Sequence, residues 1–291
     1  LLKPGVDGMP SVITLTSDFG LCDGYVASMK GVILGVSPQA AIVDISHLIK
    51  PQDIYQAAFV LGTTVRYFPP ETVHLVVVDP GVGTERPALI VKTTLGCFIT
   101  PDNGSLSYVL KPYLVSPLPV KGSVSVKTGF KDELALEVVR ITDRSFCQSP
   151  VSNTFHGRDI FAPLAAYLSL GRKPAEFGDE AETIEMLPLS SPQKNADGSL
   201  TGHIIHIDNF GNLISDINSE DIPQNSDFIV IEVGNEHIKG ISNTYAEGKE
   251  LLACIGSSGY LEIAVKNGSA ASLLAFKTGD AVKLCDYTQR S

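Results

Sequence analysis

Branched apolar residues follow two rhythms along this chain. In the first 186 residues, short apolar runs alternate with longer stretches whose apolar positions recur every three or four residues. SVITLTSDFG (11–20) predicts a strand ending in a polar turn, and YVASMKGVILGVSP (25–38) predicts a helix stopped by Pro38. AIVDIS (41–46) predicts a second strand, and DIYQAAFVLGTTVRYF (53–68) a helix with Asp53 as its cap. TVHLVVVD (72–79) is apolar on both faces, as a strand in the middle of a covered sheet must be. RDIFAPLAAYLSLG (158–171) predicts a further helix closed by Gly171. Strand alternating with helix predicts an α/β domain, residues 1–186, with a largely parallel sheet.

The rhythm then changes. LPLSSPQKNADGSLTG (187–202) is rich in Pro, Ser, Gly and Asn and predicts a linker. Beyond it only short strand patterns follow: GHIIHID, NLISDI, DFIVIEV, HIKGI, YLEIAV and AVKLCD, with turns such as NADG and NFGN. Residues 203–291 are therefore expected to form a smaller all-β domain, a barrel or a sandwich. A chain of 291 residues suits two such cores better than one. The stretch 111–150 follows neither rhythm and is left open as a lid or a sheet edge.

Composition narrows the function. With 44% hydrophobic and 19% charged residues the chain is globular rather than disordered. Its formal charge of −10 argues against a nucleic-acid or anionic-membrane partner, so any anion would be held by a placed Arg or by backbone amides. The five cysteines are scattered without a CxxC pair, which points to a reducing compartment and away from a disulfide scaffold or structural zinc. No apolar run reaches the roughly 18 residues of a membrane-spanning helix. The reducing compartment makes a cytoplasmic protein the expectation, while the opening LLKPGVDGMPS, without an initiator Met, leaves a removed presequence open.

In an open α/β sheet, ligands bind at the carboxyl ends of the strands. VVVDPGVGTERPALIV (76–91) puts Asp79 and, seven residues on, Arg86 at such an end, with Pro80, Gly81 and Gly83 predicting a tight reversal between two strands. Asp18 falls at the end of the first strand, Asp102 and Asn103 follow GCFIT, and His156 and Arg158 open the helix at 158. Each has a plainer reading. Asp18 or Asp159 could cap a helix, Arg86 could be a solvated partner of Glu85 or Asp79, and a single His is usually structural. Asp18, Asp23, Asp79, His156 and Asp159 could supply hard metal ligands, but no HxH, HExxH or DxD spacing is present and Arg86 and Arg158 would oppose a cation. DPGVGTER lacks the P-loop Lys, and GSSGY (256–260) lacks the strand–turn–helix context of a nucleophile elbow.

Six segments in register resemble one family. TSDFG…DGYVASMKGVI, DPGVGTERPALIV, TPDNGSLSYVL, FHGRDIFAPLAAYL, IDNFGNLISDI and SSGYLEIAVKNGSAASLL together resemble the S-adenosyl-L-methionine hydroxide adenosyltransferases, relatives of the fluorinase and chlorinase. The resemblance runs from about residue 12 to 285. It implies hydrolysis of S-adenosyl-L-methionine to adenosine and methionine, without metal or cofactor, by an Asp–Arg–His triad at Asp79, Arg86 and His156. In that reading His156 accepts a proton, Arg86 holds a hydroxide-like oxygen and Asp79 orients both. It further implies that Asp18 holds the ribose hydroxyls, Asp208 the methionine ammonium, and Asn212 with Phe210 the adenine. Ser257, Ser258, Glu262 and the backbone at Val265 are implied at the methionine end and the adenine. Ser258 stands where the halogenating relatives carry an Arg, so carboxylate binding would fall to Ser257 and backbone amides. The family's homotrimer, with sites between subunits, is the implied assembly. Rival readings are a halide adenosyltransferase of the same fold, disfavoured by Asp79 where those enzymes have a Tyr-containing segment, a non-catalytic adenosine sensor, and a metal-dependent hydrolase.

Overall fold

The computed structural model describes residues 11–116, 122–223, 229–248 and 250–286. Asp227 and Phe228 of DFIVIEV and the opening LLKPGVDGMP lie outside the described residues. The chain divides into two compact units, Leu1–Leu189 and Ser190–Ser291.

In the first unit the elements run β1 (Val12–Ser17), α1 (Tyr25–Val36), β2 (Ala41–Ser46), α2 (Ile54–Thr64), β3 (Val73–Val77), β4 (Ala88–Thr93), β5 (Gly96–Pro101), α3 (Ser107–Leu110), β6 (Gly122–Ser125), β7 (Glu137–Ile141), α4 (Ala162–Ser169), β8 (Gly178–Glu180) and β9 (Thr183–Met186). The main sheet is ordered β2-β1-β3-β5-β4-β7-β8. Pairing is parallel from β2 to β5 and antiparallel from β5 outward through β4, β7 and β8. The α/β fold holds, and its parallel half carries the polar strand ends. All of β3 is buried, and its side chains alternate between the two faces. Leu75 and Val77 pack with Met29, Ile33 and Leu164 from α1 and α4, while Val76 packs with Leu61, Val109 and Leu110 from α2 and α3. Truncating such a fully buried side chain to Ala costs about 2–5 kcal/mol, so the sheet is a rigid platform for the loops above it.

Local signals set the helix limits. Asp53 caps α2, its Oδ1 accepting from Gln56 N at 2.9 Å. Gly171 adopts φ 88° and closes the last turn after α4 by donating to the Leu168 carbonyl. The helix expected at 158–171 starts instead as a π-turn, Gly157–Phe161, before α4. Such turns re-aim side chains and recur at functional sites; here His156 is the residue before it.

Two expectations change. The reversal between β3 and β4 is not a hairpin, because β5 lies between them and residues 78–87 cross over its end. Within 111–150, β7 lies inside the main sheet with β8 beyond it, and β6 pairs with β9.

The second unit contains β10 (Gln193–Lys194), β11 (Leu200–Ile207), β12 (Leu213–Asn218), β13 (Ile229–Val233), β14 (Glu236–Lys239), β15 (Leu251–Ile255), β16 (Tyr260–Val265), α5 (Ala270–Leu274) and β17 (Ala281–Asp286). Its strands pair antiparallel in the order β14-β13-β17-β11-β12-β16-β15. Just after β14, Ser242 N donates to Ala253 O at 2.8 Å, bringing the two edges together into a nearly closed barrel. Ile204, Leu213, Ile231, Ile263 and Val282 fill it. β10 pairs with β11 inside 187–202, so this sheet begins within the segment read as a linker. The short α5, capped by Ser269, was not visible as a pattern because five residues hold little more than one helical turn.

Candidate active site

The 78–87 loop is pinned at both ends by the residues that follow β5. Asn103 Nδ2 donates to Val78 O at 2.8 Å, and Asp102 N donates to Pro87 O at 3.0 Å. Inside the loop Val82 N donates to Asp79 O, and Thr84 donates twice to Gly81 O. Gly83 has φ +79°, and a Cβ there would lie 2.7 Å from Asn153 O, so only glycine fits. The outcome is a two-pronged ion pair. Arg86 Nε donates to Asp79 Oδ1 at 2.8 Å and Nη2 to Asp79 Oδ2. The two side chains are 13% and 5% exposed, which rules out the solvated surface pair.

The same Nη2 lies 3.2 Å from His156 Nδ1. A guanidinium can only donate, so Nδ1 accepts, the ring is neutral, and its proton sits on Nε2. Burial and the Arg86 charge hold the His156 pKa below the ordinary histidine value, against the pull of Asp79. Asp79 and His156 line a cleft of about 290 Å³ together with Asp18, Phe19, Tyr25 and Gln52. Arg86 is not on its wall. It stands behind, donating also to Pro87 O at 3.3 Å and lying over the Phe161 ring. Phe19, Tyr25 and Phe155 make edge and tilted ring contacts at 5.2–5.6 Å, giving the cleft an aromatic side.

Asp18 Oδ2 accepts from Gln52 N at 2.7 Å, and the helix that follows is capped by Gly24 without a side-chain bond, so Asp18 is not a helix cap. Asp159 is no cap either. It is buried in the π-turn, gripped by Arg158 at 2.6 and 2.9 Å and by Ser152 N. Asp102 Oδ1 accepts from Glu185 N, and burial pushes its carboxyl above the usual range. Asp102 and Asp159, with Arg158, build the scaffold, while Asp18 lines the cleft. Among the described residues no group of three or more His, Cys, Asp or Glu is placed to hold a metal ion, and no helix is long and apolar enough to cross a membrane.

The second unit gathers a separate group. Asp208 Oδ1 accepts from Phe210 N and Asn212 N, both at 2.9 Å, and Oδ2 accepts from Asn212 Nδ2 at 3.0 Å. That turn holds Phe210 out at 75% exposure and buries Asn212. Glu262, 5% exposed on β16, accepts from Tyr245 Oη at 2.5 Å. Burial and the nearby Asp208 raise the Glu262 pKa, while Tyr245 opposes the rise. A Cβ at Gly256 would collide with Glu262 Oε2, which places the 256–259 turn, with Ser257 and Ser258, beside that carboxylate. Val265 lies at the other end of β16. Tyr245, Gln52 and Phe155 are absent from the sequence-based assignment. Tyr245 sits in SNTYAEG, which has no periodicity, and its partnership with Glu262 is made only by the fold.

A mixed sheet bearing an acid–guanidinium–imidazole cluster over its parallel strand ends, followed by an antiparallel barrel, defines a two-domain α/β enzyme. The chain belongs to the SAM hydroxide adenosyltransferase family, whose N-terminal domain matches residues 13–178 and whose C-terminal domain matches residues 202–283. It is 36% identical to an (R)-S-adenosyl-L-methionine hydrolase of Salinispora tropica over 94% of this chain and 97% of that protein. A crystal structure of a conserved protein from Thermotoga maritima matches with a TM-score of 0.81 at 34% identity, covering 94% of this chain and 99% of the other. A fluorinase of Nocardia brasiliensis is more distant, 25% identical over 96% of this chain and 98% of that protein.

Proposed function

We propose that this chain hydrolyses S-adenosyl-L-methionine to adenosine and L-methionine by in-line attack of water on the ribose 5′ carbon. The observation that carries this reading is the buried Asp79–Arg86–His156 cluster, which puts Asp79 and His156 on the wall of a cleft that also holds Asp18. A sulfonium leaves as a neutral thioether, so the reaction needs neither metal nor cofactor to help it depart. It needs a water aimed along the C–S axis and an acceptor for its proton.

The neutral His156 offers its Nε2–H to the water oxygen, which leaves the oxygen's other lone pair for carbon. Asp79, held in place by the two-pronged Arg86 contact, accepts a water hydrogen. As the O–C5′ bond forms, the C5′–S bond breaks and its electron pair stays on the methionine sulfur. The protonated 5′ oxygen then gives its extra proton to Asp79, which passes it to solvent. Asp79 is favoured over His156 as acceptor because the free lone pair of the ring already takes the Arg86 hydrogen. Arg86 acts through both partners rather than on the water.

In this reading residues 1–186 carry the chemistry and 203–291 the recognition. Asp18 holds the ribose hydroxyls, and Asp208 with Glu262 attracts the methionine ammonium. Phe210 and the Val265 backbone take adenine, to which Asn212 offers Oδ1, its Nδ2 being turned to Asp208. Ser257 and Ser258 take the carboxylate. The assembly is a homotrimer in which the recognition group of one copy completes the cleft of the next, in a cytoplasmic setting that suits five free cysteines.

The test is incubation with S-adenosyl-L-methionine, with and without a chelator and with chloride or fluoride, followed by chromatography. Equal amounts of adenosine and methionine, unchanged by the chelator and free of halogenated nucleoside, are expected. No adenosine, or a halogenated product, overturns the reading. Activity restored on mixing a His156→Ala chain with an Asp208→Ala chain after subunit exchange tests the shared site.

A further inference from the structure

The turn that carries Asp18 is held from behind by a polar chain that the chemistry above does not use. Ser17, fully buried at the end of β1, has its Oγ 2.7 Å from His47 Nδ1. His47 is 3% exposed, and its Nε2 lies 3.1 Å from Asp44 Oδ1. The other oxygen of Asp44 lies 2.6 Å from Lys30 Nζ on α1. Two further bonds run between the same loops, from Gly20 N to His47 O at 2.8 Å and from Gln52 N to Asp18 Oδ2 at 2.7 Å. Ser17 Oγ also lies 3.4 Å from Phe19 N. The 17–20 turn is thus gripped at a side chain, at the backbone and at the carboxylate of Asp18 itself. His47 supplies two of those three links and is tied through Asp44 to a helix.

The order Ser–His–Asp is not a nucleophile relay here. Ser17 Oγ is sealed from solvent and does not line the cleft, whereas Asp18 and Phe19, the next two residues, do. A buried imidazole bonded to Ser17 and set 3.1 Å from the Asp44 carboxylate is costly to leave unpaired. If filling space were its only task, an apolar side chain would serve at this position. We propose that His47 is a positioning residue for nucleoside binding, holding the Ser17–Gly20 turn so that Asp18 meets the ribose in a fixed geometry. This rests on the reading that Asp18 binds the ribose.

The test is a double-mutant cycle read by calorimetric adenosine binding to the full chain, with KM and kcat measured alongside. His47→Leu is expected to weaken adenosine about tenfold, as loss of a buried hydrogen-bond partner does, with KM rising in step and kcat changing much less. His47→Asn, which keeps a polar atom near the Nδ1 position, is expected to recover most of the loss. With Asp18→Ala in place, His47→Leu should add almost nothing, because the two losses run through one carboxylate. Fully additive losses, or wild-type adenosine affinity in folded His47→Leu, overturn the proposal. If His47→Leu does not fold, Ser17→Ala carries the same cycle with a smaller expected loss. A wild-type chain that binds no adenosine overturns the proposed function and this inference together; a wild-type binder with an unaffected His47 variant overturns this inference alone.

Discussion

Arg86 Nη2 reaches His156 Nδ1 at 3.2 Å while the same group grips Asp79, so one guanidinium fixes both the orientation of the acid and the tautomer of the imidazole. Protonation of His156 would set N–H against N–H at that contact.

That contact predicts a pH profile. Burial and Arg86 lower the His156 pKa, so the neutral ring persists below 6.5 and is lost only as pH falls further. Activity should hold from neutrality down past pH 6.5 and then fall. Titration of the His156 ring protons by NMR should give a midpoint below 6.5 in the wild type. Arg86→Ala should move it up and Asp79→Asn should move it down, since those charges act in opposite directions. A wild-type midpoint at or above 6.5 would falsify the assigned contact.

Turnover should depend on both Arg86 and His156. His156→Ala and Arg86→Ala are each expected to lower kcat by about 10² or more, with adenosine affinity nearly unchanged. Arg86→Lys should not restore it, because one ammonium cannot hold two carboxylate oxygens and a ring nitrogen in that fork. Wild-type turnover in any of these variants removes the residue from the mechanism.

Much of this site was legible because chemistry and pattern coincide at strand ends. Apart from the buried His74, Val73 to Val78 are apolar on both faces, so Asp79 had to emerge at the end of a buried strand, and only a few loops emerge there. Asp53 and Gly171 marked helix limits by local chemistry alone. What stayed hidden depends on non-local pairing. Nothing in VVVDPGVGTERPALIV says that β5, which comes later in the chain, inserts between its two strands, nor that Asn103 then anchors Val78. The reach of Arg86 was equally hidden, since spacing gives proximity to Asp79 but not which side of it faces the cleft. Tyr245 and His47 were invisible for the same reason, as each is defined by a partner on another strand or loop.

The Tyr245–Glu262 pair separates recognition of the methionine end from that of the nucleoside. The Tyr245 hydroxyl donates to Glu262 and opposes the rise in its pKa caused by burial. Tyr245→Phe should therefore raise the Glu262 pKa further, so the carboxylate loses its charge sooner as pH falls. The KM for S-adenosyl-L-methionine should rise about fivefold, more at pH 5.5 than at pH 8, with adenosine affinity unaltered. An equal loss of adenosine affinity would place Glu262 at the nucleoside instead.

Stability should carry the mark of a different histidine, one far from any solvent. His74 on β3 is fully buried, bonded to Thr14 Oγ1 at 2.8 Å and stacked on Phe98 with ring centroids 4.8 Å apart. Burial lowers its pKa to about 4, so the folded state holds the ring neutral where an unfolded chain would protonate it. The unfolded state binds the extra proton between pH 6.5 and about 4, and stability falls with pH across that window and is unaffected by His74 above it. The drop over the whole window, from 6.5 to about 4, is about 3 kcal/mol. Titrating carboxylates add their own acid dependence, so the measurement is a difference. Urea unfolding of the wild type and of His74→Gln, which keeps a bonding partner for Thr14 but does not titrate, should be compared at pH 7.5, 6 and 5. The wild type should lose stability faster than the variant on going below pH 6.5, whatever their offset at pH 7.5. Parallel curves would mean that the buried ring accepts its proton without unfolding, through a local opening of β3 against Phe98.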